Sequence, residues 1–73
     1  MSIIQSGNRT HDTTCLIAEG VRQVAVAAAA GNQATAAAAE IVFYRACRAS
    51  AMANGIQEGQ FSTALKELGT GGV

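Results

Sequence analysis

Apolar positions between Asp12 and Leu68 recur with helical rather than alternating spacing. On a 100° wheel, Ile17, Gly20, Val21, Val24 and Ala28 fall together, with Glu19, Arg22 and Gln23 opposite, which predicts a shallowly amphipathic helix over residues 12–30. Asp12 or Thr13 can cap its start. Gly31 suits the left-handed position that closes a helix, and Asn32 is a strong cap for the next one, so the pair reads as a tight turn. A second helix is expected over 33–53. Its apolar face is Ala39, Val42, Phe43, Ala46, Ala49 and Ala53, and Glu40, Tyr44, Arg45 and Arg48 lie on the other side. Asn54-Gly55 ends it, because both residues tolerate positive φ.

A third, shorter helix is expected over 57–68, where Phe61, Leu65 and Leu68 stand at i, i+4 and i+7 with Ala64 beside them. Ile56 can staple against Phe61 at its start, and Gly69 stops it. Residues 1–11 carry Ile3 and Ile4 and then the turn formers Ser6, Gly7, Asn8, Arg9 and Thr10, which reads as an extended arm. Residues 69–73 are too rich in glycine to hold a helix and form a flexible tail. The expected fold is all-α: an antiparallel helical hairpin plus a short C-terminal helix, preceded by an extended N-terminal arm, in one small helical domain over 1–73. The alternative is a single helix over 12–53, about 60 Å long at 1.5 Å per residue. The hairpin is preferred because a lone helix of this composition buries nothing, whereas two of similar length can pack on each other.

Composition changes the picture in one respect. Of 73 residues, 16 are alanine, 8 glycine and none proline, and Leu, Ile, Val, Phe and Met total only 17. Alanine buries little area per side chain, so the core is thin for a chain already near the lower size limit for independent folding. Small residues instead let helix axes approach closely, at the short end of the usual spacing. Five Lys plus Arg balance five Asp plus Glu, which leaves no electrostatic footprint for nucleic acid or an anionic membrane. Arg45, Arg48 and Tyr44 share a face, but Glu40 one and two turns earlier predicts an intrahelical ion pair there. A DNA-reading helix would need polar and basic residues at its start, and 33–39 is mostly alanine.

The longest apolar stretch, Val24 to Ala30, is far below the roughly 18–20 residues that span a bilayer, and the N-terminus lacks the basic start of a signal peptide. The default compartment is cytoplasmic; a subunit exported without a cleaved signal, or one carried in a virion, would look the same.

Candidate chemistry centres on Cys15, Cys47 and His11. The cysteines are nearly equidistant from the turn, so in a hairpin they stand at one level, and a disulfide there would close a loop of about 30 residues worth roughly 2–4 kcal/mol. The wheel opposes it, since Cys15 lies with Glu19 and Arg22 and Cys47 only flanks its stripe; the alternative is two reduced thiols acting as small hydrophobes. His11, four residues before Cys15, allows a Cys-His dyad to be drawn, but no third group orients it and no glycine-framed oxyanion loop is present. The same three residues offer soft ligands to zinc or copper without the fourth that a structural site needs. The glycines of 69–72 neither follow a strand nor open a helix, so they are no phosphate loop. The sequence therefore predicts no catalytic residue, no cofactor and no metal.

Val26, Ile41 and Met52 fall on the nominally polar sides of their helices, and with Phe61, Leu65 and Leu68 they are the candidates for self-association. The expected role is a structural subunit that builds a homo-oligomer, whether filament, shell or small bundle. The alternative is a small helical adaptor or inhibitor that holds a partner protein's helix in a groove beside the hairpin.

Overall fold

A computed structural model describes residues 7–69 of the chain, and the Ile3-Ile4 pair, most of the expected arm and the tail beyond Gly69 lie outside them. Within that range the protein is all-α, with α1 at Arg9–Ala28, α2 at Gln33–Ala53 and α3 at Gly59–Glu67. α1 and α2 pack as a hairpin, and α3 packs on α2.

Each boundary has a local cause. α1 begins before the expected Asp12, because Asn8 adopts extended backbone and its Oδ1 accepts from the His11 amide at 3.0 Å. This places His11 in the first turn of a helix rather than in an arm. At the other end α1 stops at Ala28, two residues early: Ala30 and Gly31 both take positive φ, +51° and +88°. They reverse the chain into Asn32, whose side chain accepts from Thr35 N at 3.0 Å and starts α2. The α2 end is a Schellman motif, with Ile56 N donating to Ala51 O at 2.8 Å around Gly55 at φ +69°. That bond turns Ile56 back onto the core. Residues 57 and 58 remain outside α3, which therefore starts later than expected and ends before Gly69 at φ +88°.

The core is small and lies at the open end of the hairpin. It consists of His11 and Cys15 from α1, Phe43, Cys47 and Ala51 from α2, and Phe61 and Leu65 from α3. From Leu16 through Val42 no residue is buried. In this tip half the helices meet through alanines and through Arg22, whose guanidinium stands 5.3 Å from the Phe43 ring centroid and 3.7 Å from Glu40. Glu40 thus bridges to the neighbouring helix instead of pairing within α2, as its spacing to Arg48 suggests.

The facing sides depart most from expectation. α1 turns its His11, Cys15, Ala18 and Arg22 side inward, while Leu16, Ile17, Val21 and Val24 are 59–71% exposed. At 100° per residue the expected stripe, centred near Ile17, lies roughly 130° from the side that is buried. α2 is turned likewise: Phe43, Cys47 and Ala51 are inside with Tyr44 against them, and Val42, Ala46, Ala49 and Ala53 are exposed. Two bulky rings and a leucine fill the centre, and small or slender residues on α1 are what fits beside them.

The turn provides a direct stability test. Ala30 occupies a left-handed conformation that its Cβ disfavours, so Ala30→Gly is expected to raise the unfolding free energy by about 0.5–1 kcal/mol, while Asn32→Ala lowers it by about 1 kcal/mol through the lost cap. Urea unfolding at an unchanged m-value measures both.

Candidate functional site

Two features outside ordinary packing stand out: a buried polar cluster at the open end of the hairpin and an exposed apolar face on α1. The cluster arises from helical spacing. His11 and Cys15 are one turn apart on α1, Cys47 and Ser50 one turn apart on α2, and the hairpin brings the four side chains to one level. His11 Nδ1 lies 2.9 Å from Ser50 Oγ, and Cys15 Sγ lies 3.4 Å from His11 Nε2. Cys15 and Cys47 lie in one buried core cluster, close enough for each thiol to influence the other. Phe61 of α3 closes the cluster, with its ring centroid 6.0 Å from that of His11 in an edge-on arrangement. His11 is only 1% exposed, and Cys15 and Cys47 are fully covered.

His11 thus belongs to α1 and not to an extended arm, and the rotation of α1 described above turns Cys15, which the wheel places with Glu19 and Arg22, towards α2. Ser50 was not singled out. Its signal was available, because Phe43, Cys47 and Ser50 stand at i, i+4 and i+7, but a serine among alanines carries no hydrophobic weight in such a pattern.

Burial sets the chemistry of the thiols. Desolvation pushes Cys15 above its ordinary range; the nearby Cys47 thiol works against this and the Asp12 charge adds to it. Cys47 is driven from 9.0 to about 12, first by desolvation, then by the nearby Cys15 thiol, with the charges of Cys15 and Glu19 contributing. Both cysteines are free thiols, held protonated at neutral pH and so weakly nucleophilic while covered. In the tautomer where His11 donates from Nδ1 to Ser50 Oγ, Nε2 is left to accept from the Cys15 thiol, and every buried side-chain nitrogen and oxygen among the described residues has a partner. No three His, Cys, Asp or Glu side chains among the described residues are placed to hold a metal ion together.

The outer face is the second feature. Leu16, Ile17, Gly20, Val21, Val24 and Ala28 form a surface with no charged side chain, and Val21 joins it to an apolar groove between α1 and α2. This groove, of about 320 Å³, is lined by Ala25, Ala39, Val42 and Ala46 among others. Of the self-association candidates, Phe61 and Leu65 are 1% exposed and belong to the core, where they complete the small hairpin interior. Val26, Ile41 and Leu68 are half-buried, and Met52 is exposed. Glu19 pairs with Arg22 beside the face, and this contact holds its carboxyl below the usual range.

No family model, curated protein or solved structure matches the chain. No helix among the described residues is long and apolar enough to cross a membrane.

Two measurements test the cluster. Ser50→Ala leaves His11 Nδ1 buried without its partner and is expected to cost about 1–3 kcal/mol in urea unfolding. Because the folded state holds the Cys47 proton more tightly than the unfolded chain does, this group's stabilising contribution is present below about pH 9 and is lost as pH rises towards 12. Unfolding curves of wild type and Cys47→Ala should therefore converge over that window.

Proposed function

We propose that the protein is a structural, non-catalytic subunit that associates with copies of itself through the outer face of α1 and the adjoining groove. The observation that carries this reading is the exposure of Leu16, Ile17, Val21, Val24 and Val42 while the chain buries so little elsewhere. An amphipathic helix ordinarily turns its most apolar side to its own core. Here that side faces out along a hairpin half without a buried residue, which is the pattern of a helix whose second partner is another molecule.

The surface suits a like surface. Its α1 face carries no charge, Arg22 lying only at the groove, and nothing stands within 4 Å of a Cβ built on Gly20, so a facing helix can approach closely at the centre of the stripe. In a two-fold antiparallel pairing around Gly20 and Val21, Leu16 and Ile17 of one copy meet Val24 of the other. At about 1 kcal/mol for completing the burial of each of five aliphatic side chains per copy, the gross gain per pair is on the order of 10 kcal/mol. That is comparable with the roughly 4–15 kcal/mol that association costs, so a two-fold pair through this face alone is modest, and a filament or shell would use the groove as a second contact. The groove between α1 and α2 supports a second reading, an adaptor that holds a partner protein's helix there.

Light scattering on a size-exclusion column, run across a concentration series, tests the proposal. Wild type is expected as a multimer, and Val21→Glu with Val24→Glu as a monomer of unchanged helicity by circular dichroism. A wild-type monomer at all concentrations overturns self-association and leaves the adaptor reading.

A further inference from the structure

We propose that Cys15 and Cys47 are a thiol–disulfide exchange site, with a low-molecular-weight disulfide as oxidant, His11 as the base and α3 as the cover that must lift for reaction. This goes beyond self-association and does not depend on it. The two cysteines are fully buried on packed helices and belong to one core cluster. Packed helices in general have axes about 8–10 Å apart, and with Cα atoms about 2.3 Å from each axis, directly facing Cα atoms can stand roughly 3.5–5.5 Å apart. A disulfide, which spans roughly 4.4–6.8 Å between Cα atoms, is within reach of a small helix adjustment. His11 Nε2 at 3.4 Å from Cys15 Sγ is placed to take the thiol proton, and Ser50 Oγ at 2.9 Å from Nδ1 orients the ring and can stabilise the imidazolium.

The cover is the element least able to hold itself. α3 has nine residues, and its N-cap residue Glu58 makes no side-chain cap bond. Isolated helices of this length are unstable in water, so α3 persists through its buried Phe61 and Leu65, and Phe61 is the one that packs on the cluster. Once α3 lifts, the burial that keeps the Cys15 thiol protonated is relieved, while His11 and Ser50 stay on the hairpin.

The chemistry balances in two steps. Cys15 gives its proton to His11, and the thiolate attacks one sulfur of the disulfide RSSR, forming Cys15–S–SR and releasing RS⁻, which takes the proton from His11. The Cys47 thiol then gives up its proton and attacks Cys15 Sγ, forming the Cys15–Cys47 bond and expelling a second RS⁻ that leaves as RSH. Two protein thiols are oxidised by two electrons and one RSSR is reduced to two RSH.

Reduced wild-type protein, incubated with excess oxidised glutathione without denaturant, tests this by intact mass and by tryptic mapping under non-reducing conditions. The expected product has lost two hydrogens, retains no glutathione, and yields the peptide 10–22 linked to 46–48. Cys47→Ser is expected to stop with one glutathione on Cys15. His11→Gln should react at least tenfold more slowly than wild type, and Phe61→Ala, which loosens the cover, at least tenfold faster. Glutathione on both cysteines, a link between two chains, or no reaction of the folded wild type overturns the proposal, and the wild-type result decides it even where a variant fails to fold.

Discussion

Everything else in this small fold depends on the contact that Phe61 and Leu65 make with the open end of the hairpin. α1 and α2 carry many alanines and few large residues, so their own interface buries two rings, Phe43 and the His11 imidazole, and otherwise small groups. Phe61 and Leu65 add the missing volume, and they reach it because the Schellman turn at Gly55 sends Ile56 back towards Ala51. Volume of this kind is worth several kcal/mol in a chain whose total stability is of that order. The contact also has a chemical effect, since Phe61, which completes the core, packs against His11 in the cluster that holds Cys15 and Cys47.

The molecule is therefore divided along its length. The end next to α3 holds the whole core and a satisfied polar network, and polar groups that are fully paired inside a core restrict how the helices can be rotated. At the tip, alanine contacts and the Arg22–Glu40 pair hold the helices together without burying anything completely, and Arg22 reaches back over the buried Phe43 ring. Rotation and exposure are linked: seating His11 against Ser50 and Cys15 against Cys47 turns α1 so that Leu16, Ile17, Val21 and Val24 point outward. The polar cluster and the proposed association surface are thus two consequences of one helix orientation.

The residues that the sequence misplaced share a physical property. Hydrophobic periodicity assumes that the most apolar side of a helix is the buried one. α1 breaks that rule because histidine and cysteine, which carry little weight on such a scale, are well suited to burial when they can pair. Phe61 and Leu65 were legible as an apolar stripe but not as core or surface, since that depends on which way α3 folds back. Asn8 was passed over as a cap because the residues around it read as a turn, although Asn8 and Asn32 cap their helices through the same bond to the third amide.

By itself the sequence determined the all-α class, the turn at Gly31-Asn32, the stop at Asn54-Gly55 and the apolar stripe of a third helix. These follow from local preferences: alanine for helix, asparagine for caps and glycine for positive φ. Only the tertiary structure decided which side of α1 faces α2, that Cys15 and Cys47 meet with His11 and Ser50, and that the richest aliphatic stripe lies on the outside. Those are matters of rotation about a helix axis, and rotation is set by shape and polar pairing with a neighbour distant in sequence, which no local pattern encodes.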